Sequence, residues 1–291
     1  MAGGSSAQYA SPMQRLLPPE ALARDDRFHR ITTAERFADT RPSVGEERRM
    51  DPKADEVADR ARRQMHGIFV GEIQALEGAG RTAFDYATAT TPGATDGVDT
   101  VPFALKLDMA RQCWDEARHV EISVKLGDHM GTQIGEYSEA VTLFEAACHP
   151  DPVFRLAGVN RALEGLAIDV FTTMRDFADD MSDPVLRFAE DWMLADEVTH
   201  VKMGSDWLRR LTATDPDRQK QALEFQRAVD KVFSFGGFRG EQDENPIHLA
   251  RNFRRLAGFT DEEITDLVDI AAEAYAEAAA VQEAALAAGT D

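Results

Sequence analysis

The chain has 291 residues, 43% of them hydrophobic, which is enough to bury a sizeable core and is typical of a soluble globular protein. Its 52 acidic and 32 basic residues give a formal net charge of −20, which argues against nucleic acid or an anionic membrane as the main partner. The two cysteines lie in unrelated contexts, and no stretch has a signal-peptide core or the length of a membrane span, so we expect a reducing, cytoplasmic location without disulfides.

The first predicted element is an N-terminal arm over residues 1–50, where Gly, Ser, Pro, Arg and Asp are mixed without a sustained period. Beyond it, Asp-Pro pairs recur where apolar helical patterns begin, with Asp suited to the N-cap and Pro to the first helical position. The pairs start at Asp51, Asp151, Asp183 and Asp215. The patterns predict long helices over about 52–89, 101–127, 152–180 and 184–212, and a short helix between about 136 and 148.

The first two long helices carry candidate metal ligands. In the first, Glu72 lies on a face that is otherwise small and apolar, and Glu77, about 140° around the helix axis, is the alternative. In the second, Glu116 is followed three residues later by His119, so the two side chains leave the same face one turn apart. Such a pair can offer an oxygen and a nitrogen to one metal ion, although a single Glu-x-x-His spacing is common by chance on solvated helix faces.

The second half of the chain repeats this arrangement. Glu164 is the only acid on its face of the third helix, and the fourth helix carries Glu197 followed by His200. Both Glu-x-x-His copies lie in apolar runs, so both helices are expected to be largely buried, and buried carboxylates and imidazoles need a counter-charge that a metal ion supplies. A helical di-metal site of this kind requires one further Glu from each of two other helices, and Glu72 and Glu164 are the candidates for them. An Asp precedes each paired Glu, and Asp115 and Asp196 are candidates to orient a ligand His.

Residues 214–291 predict further helices, over about 219–235 and 246–256 and from a capping sequence that starts at Thr260. From Asp261 onwards the chain has acids but no Lys or Arg, which indicates either a docking surface for a basic partner or a neighbouring subunit, or a solvated helix face. No strand pattern competes in the sequence. The predicted fold is therefore an all-α four-helix bundle at 51–213, with the N-terminal arm before it and a C-terminal helical extension at 214–291.

Together these motifs resemble the ferritin-like, carboxylate-bridged di-iron superfamily over roughly residues 60–212. The Gly-Glu-Ile-Gln-Ala run at 71–75 is similar to the first metal-binding helix of rubrerythrins and aldehyde-deformylating oxygenases. The Asp-Glu-x-Arg-His stretch at 115–119 resembles the hydroxylase subunits of bacterial multicomponent monooxygenases, and 196–208 resembles the last metal helix of aldehyde-deformylating oxygenases. The combination of 72–77 with 115–119 also looks like a little-characterised bacterial ferritin-like family.

The resemblance implies a ferritin-like bundle that holds two iron ions, with a Mn/Fe pair as an alternative, and uses O2 as co-substrate. The expected activity is oxidation of a small organic substrate by hydroxylation, N-oxygenation, desaturation or oxidative cleavage. Ser123 stands where ribonucleotide reductase small subunits carry a radical-bearing Tyr, which disfavours radical chemistry of that type. The metal ligands and catalytic residues implied are Glu72, Glu116, His119, Glu164, Glu197 and His200, with Asp115 and Asp196 as catalytic partners of the histidines.

The alternative function is that of a ferroxidase or peroxidase that handles iron without an organic substrate. A third possibility is a structural helical bundle without iron. Two complete Glu-x-x-His copies and a chain longer than a ferritin subunit favour the oxygenase. The sequence has no Cys-x-x-Cys pair, so a rubredoxin-type domain is missing, and electrons are expected from a separate donor protein or from the substrate. A homodimer is also expected.

Overall fold

Helices make up almost all of the chain that the structure describes. A computed structural model describes residues 57–88, 100–137, 142–235 and 249–288, so the predicted arm at 1–50 lies outside the described residues. Within these ranges the only β pairing is an isolated bridge between Ala87 and Thr100, which confirms the all-α prediction at the level of fold class. None of the described helices combines the length and the apolar character needed to cross a membrane.

The chain divides into two compact units, Met1–Val159 and Asn160–Asp291. The boundary falls inside the helix predicted over 152–180, so each unit receives part of that helix. The predicted division into an arm, a bundle and a C-terminal extension stays a prediction.

The described helices of the first unit that precede this boundary helix are α1 (Val57–Asp85), α2 (Phe103–Met130) and α3 (Thr142–Ala147). Helices α1 and α2 pack along each other. The backbone N–H of Val101 donates to the carbonyl of Ala87 (2.9 Å), which ties the end of α1 to the start of α2, so the two helices run antiparallel. Helix α3 packs against α1, where Gln74 Oε1 accepts the backbone N–H of Phe144 (3.2 Å).

Helix α2 is longer than its sequence predicts. The glycine at 127 was expected to end it, but Gly127 is helical and buried, and the left-handed residue is Gly131 (φ +79°). The N–H of Thr132 donates to the carbonyl of Gly127 (2.9 Å), which satisfies one of the last carbonyls of the helix. Of two nearby glycines, the fold therefore uses the second as the helix stop.

A continuous helical run crosses the unit boundary, and the remaining helices belong to the second unit. The run consists of α4 (Pro152–Arg155), a π-helical segment (Leu156–Leu163) and α5 (Glu164–Asp180). The helices after it are α6 (Pro184–Leu211), α7 (Pro216–Phe235), α8 (Arg251–Leu256) and α9 (Asp261–Ala288). Helices α5 and α6 pack against each other, α7 packs against α9, and the short α8 contacts α5, α6 and α9.

The Asp-Pro helix starts are confirmed where they can be seen. Asp183 Oδ1 accepts the backbone N–H groups of Val185 (3.0 Å) and Leu186 (3.1 Å) at the start of α6. Asp151 and Asp215 also accept backbone N–H groups, at the starts of α4 and α7. These bonds satisfy donors that have no partner within the helix. The first predicted pair lies outside the described residues.

The acidic helix α9 opens with the predicted capping box. The N–H of Thr260 donates to Glu263 Oε2 (2.8 Å), and the N–H of Glu263 donates to Thr260 Oγ1 (3.2 Å). Some of its acids pair within the second unit, since Glu263 binds Arg161 and Glu273 accepts from Arg227 (3.1 Å). Part of the negative charge that could attract a basic partner is thus neutralised inside the fold.

The prediction that both motif-bearing helices are largely buried holds only for one face of each. Trp114 on α2 is 66% exposed and Phe188 on α6 is 72% exposed. Trp114 lies about 200° around the helix from Glu116, and Phe188 lies about 180° from Glu197. The motif faces are buried and these aromatic residues point outward, so the apolar runs are spread over both faces.

Candidate metal centre

In the first unit, three buried side chains from α1 and α2 converge, namely Glu72, Glu116 and His119, and we call them the first triad. His119 Nδ1 lies 3.0 Å from Glu72 Oε2 and 3.2 Å from Glu116 Oε2. Ligand atoms around an octahedral ion with bonds of about 2.1 Å are about 3.0 Å apart. The atoms of the first triad therefore have the mutual spacing of ligands to a single ion.

A buried amide fixes one member of the first triad. Gln112, one turn before Glu116 on α2, is 1% exposed, and its Nε2 lies 3.1 Å from Glu116 Oε1. A carboxylate only accepts hydrogen bonds, so the amide must present its NH2 group to it. One oxygen of Glu116 is held by Gln112, and the other points to His119.

The second unit builds a matching set from α5 and α6, which we call the second triad: Glu164, Glu197 and His200. All three side chains are buried, and each offers a ligand atom within 4.8 Å of those of the other two. His200 Nδ1 lies 3.5 Å from Glu197 Oε1. Both histidines thus turn the same ring nitrogen, Nδ1, towards the carboxylates.

The π-helical segment leads directly into Glu164. Its residues are buried, and Asn160 within it lies against Gly204 of α6. A Cβ on Gly204 would stand 2.4 Å from Asn160 Cβ, a distance that real atoms do not reach, so this contact requires glycine at 204. The wider turns of a π-helix often occur at functional sites. Here the altered helix sets the direction of the backbone that carries a candidate ligand.

An ion pair from α8 braces the same stretch. Arg254 is fully buried, and its guanidinium donates to both carboxylate oxygens of Asp169, with the shortest contact at 2.6 Å. The same side chain donates to the carbonyl of Gly165 (2.6 Å), the residue after Glu164. A side chain of the predicted C-terminal extension therefore supports the backbone next to a candidate ligand.

The residues of each triad fit a divalent metal ion. Each triad contains two carboxylates and one imidazole, all removed from water, and a bound cation would offset the cost of burying their charge. Oxygen and imidazole donors suit iron, manganese and zinc, whereas a set without thiolates does not favour copper(I). Cys113, the thiol nearest in sequence to Glu116, has its pKa raised by burial and then by the Glu116 charge, so it is a neutral thiol at physiological pH.

Comparison with known families gives one match. A family model described as "Protein of unknown function (DUF455)" matches residues 10–265, which is well over half of the chain and includes both triads. The chain belongs to the DUF455 family. No curated protein and no solved structure matches it.

In this DUF455 chain the two predicted orienting aspartates have different surroundings. Asp115 is buried and pairs with Arg118 and, at 3.4 Å, with Arg111, all on α2. Asp196 on α6 is half-buried. Asp115 is thus neutralised by arginines of its own helix, and the proposed role of both aspartates as partners of the ligand histidines stays a prediction. Glu77, the alternative to Glu72, is half-buried and lies outside the first triad.

Three features of the site in this DUF455 member were not predicted from the sequence. They are Gln112, the π-helical segment and the Arg254–Asp169 pair. Gln112 had a usable signal, because it is a polar residue one turn before Glu116 on the same face. The π-helical segment and the ion pair had none, since both depend on contacts between residues far apart in the chain.

Proposed function

We propose that each triad holds one iron ion, and that the reduced protein activates O2 to oxidise a small organic molecule. The observation that carries this proposal is the duplication: each unit contains a buried Glu next to a Glu-x-x-His pair whose histidine Nδ1 turns towards carboxylate oxygens. Hydroxylation, N-oxygenation, desaturation and oxidative cleavage are all compatible with this donor set.

Charge balance supports a pair of divalent ions. Each triad contains two carboxylates, whose combined charge of about −2 equals in magnitude that of one Fe(II) ion, so each loaded triad would be neutral. A neutral assembly avoids the large cost of leaving net charge in a buried site. The negative charge is thus matched to two ions rather than one.

Iron, when bound, supplies O2 binding and electron transfer. The carboxylates of the triads would supply hard, anionic oxygen ligands that suit Fe(III), and the imidazoles would supply nitrogen ligands. Gln112 limits the positions open to Glu116 by holding one of its oxygens. Apolar neighbours such as Met109 and Met193, both fully buried, keep bulk water from the ligand faces. Electrons would come from a donor protein or from the substrate.

Metal analysis tests the centre itself. Protein purified after iron-supplemented expression is expected to contain two metal ions per chain, with Fe and Mn both quantified. Glu116→Ala and His200→Ala should each lose most of the metal while keeping their helix content by circular dichroism. His129→Ala is the matched control, because His129 is an exposed histidine on the same helix as Glu116. A protein free of both metals, or unchanged metal content in the two ligand variants, would refute the centre.

Stopped-flow oxidation separates an oxygenase from an iron-handling protein. Anaerobically loaded protein is expected to consume a limited, stoichiometric amount of O2 and to stop, and an organic substrate should then allow further turnover. Continued oxidation of many irons per chain, without any effect of candidate organic molecules, would favour the ferroxidase instead.

A further inference from the structure

The two triads are built from the same residue types but are supported differently. The residue one turn before Glu116 is Gln112, whose amide donates to that carboxylate (3.1 Å). The residue one turn before Glu197 is Met193, which is fully buried and has no hydrogen-bond donor. Only the first triad therefore has a donor at this position that fixes its Glu-x-x-His carboxylate.

We propose that the two triads are inequivalent binding sites: the first triad takes a divalent cation first and more tightly, because Gln112 holds Glu116 in position, and the second triad is loaded second. This inference rests on the proposed metal centre and adds an order of loading to it. Gln112 acts as a positioning residue, since it would act on the metal through Glu116.

The distances within the triads agree with this order. In the first, His119 Nδ1 lies 3.0 Å and 3.2 Å from two carboxylate oxygens, close to the spacing of about 3.0 Å between octahedral ligands. In the second, His200 Nδ1 lies 3.5 Å from Glu197 Oε1, so an octahedral ion would draw these two atoms closer together. A site whose ligands are already in place loses less conformational freedom on binding than one whose ligands must move.

A second difference lies one turn after each histidine. Ser123 on α2 is fully buried, and its Oγ has no hydrogen-bond partner among the described residues. The corresponding position on α6 is Gly204, which is filled by the contact with Asn160. The ligand face of α2 thus has polar side chains both before and after its Glu-x-x-His pair, whereas that of α6 has methionine and glycine. The polar surroundings are on the side that we expect to bind a cation first.

An anaerobic Mn(II) titration of the metal-free full-length protein, followed by electron paramagnetic resonance, tests the order. The signal of free Mn(II) measures the unbound cation, and we expect the first equivalent to be taken up almost completely before the second begins to bind. Equilibrium dialysis of the same samples should give two separate affinities. His200→Ala should keep the tighter step and lose the weaker one, and His119→Ala should do the reverse.

Gln112→Met tests the positioning role, because it gives the first triad the residue type that the second already has. The tighter step should weaken by about 10–100-fold, the usual effect of removing a partner that orients a metal ligand, with the weaker step unchanged. Gln221→Met, at an exposed glutamine of α7, is the matched control and should leave both steps as they are. Unfolding of the metal-free variants in urea shows whether each is folded, and a general loss of packing would weaken both steps rather than one.

The outcomes distinguish this inference from the metal centre. Two bound Mn(II) ions of equal affinity, or a tighter step that survives His119→Ala, would overturn the inequivalence and leave the centre standing. A tighter step that is unchanged in a folded Gln112→Met protein would remove the role of Gln112. If neither Mn(II) nor Co(II) binds to the wild-type protein, both the metal centre and the order of loading fail together.

Discussion

At the scale of a single residue, Gly204 decides how closely α6 approaches the π-helical segment. A Cβ at this position would lie 2.4 Å from Asn160 Cβ and 3.5 Å from the Asn160 backbone carbon, so neither a rotamer change nor a small shift of one side chain relieves the clash. Asn160 is four residues before Glu164 in the same helical run. A displacement there is therefore transmitted along the backbone to a candidate metal ligand.

Gly204→Ala is expected to destabilise the protein by about 1–3 kcal/mol, the usual cost of overpacking, and to lower metal binding at the second triad. Gly71→Ala is the control, because Gly71 precedes Glu72 on α1 and a Cβ there would meet nothing within 4 Å. That substitution should be neutral or stabilising by up to about 1 kcal/mol through helix propensity. Urea unfolding and metal content measure both effects, and equal stability of the two variants would contradict the steric argument.

At the scale of elements, the Arg254–Asp169 pair joins the six-residue helix α8 to α5. A helix this short has little stability of its own, so its position depends on such contacts. Arg254 also donates to the Gly165 carbonyl, and Asp169 Oδ1 accepts the backbone N–H of Ala250 (2.9 Å) at the start of α8. The pair thus fixes both the start of α8 and the backbone beside Glu164.

Arg254→Met is expected to cost about 3–5 kcal/mol, because it leaves the Asp169 carboxylate buried without its partner. The double variant Arg254→Met/Asp169→Asn, which removes the buried charge as well, should be more stable than Arg254→Met alone. Arg187→Met removes the half-exposed contact with Asp179 (2.6 Å) and should cost less than about 1 kcal/mol. Denaturant unfolding of the four proteins tests the ordering, and a double variant less stable than Arg254→Met would argue against the buried-charge explanation.

The sequence predicts helices better than it predicts their irregularities. Local signals such as Asp183 before Pro184 and the Thr260–Glu263 box locate helix starts, since their hydrogen bonds involve residues within one turn. Ligand spacing is also local, so the pairing of Glu116 with His119 follows from helix geometry. The π-helical segment was predicted as ordinary α-helix, because its form depends on packing against Gly204, more than 40 residues later in the chain.

Two residues of the site show what sequence spacing can and cannot predict. The choice of Glu72 over Glu77 was suggested by the small residues around Glu72, and the contact between Glu72 and His119 agrees with it. Asp115 was expected beside a ligand histidine, and this stays a prediction; its ion pairs with Arg111 and Arg118 were not predicted. Sequence spacing says which residues share a helix face, but not which of several charged neighbours a carboxylate will bind.

At the scale of the whole molecule, the acidic composition and the buried triads both favour the binding of cations. The net charge of −20 raises the local concentration of cations around the protein. In the metal-free protein the carboxylates of each triad are buried at short distance from one another, which opposes folding through like-charge repulsion. A bound cation removes that repulsion, so metal binding and global stability are linked.

Metal loading is therefore expected to raise the midpoint of thermal unfolding. A ligand that binds only the folded state at 100 times its dissociation constant adds about 2.7 kcal/mol, so anaerobic Fe(II) or Mn(II) should give a clear upward shift. Glu116→Ala should show a smaller shift, while Mg(II), which prefers to keep its waters, should have little effect. Differential scanning calorimetry measures the shift. An equal shift in the wild-type protein and in Glu116→Ala would show that the metal does not stabilise the protein through the triads.

The π-helical segment also has an evolutionary consequence. A π-helix closes its hydrogen bonds from residue i to residue i+5, one residue more than an α-helix, so deleting one residue between 156 and 163 would let the segment close into a regular α-helix. The position of Asn160 would then change, and with it the contact that requires glycine at 204. We therefore expect DUF455 relatives that have seven residues in place of the eight at 156–163 to form an ordinary α-helix there and to tolerate a larger residue at the position of Gly204.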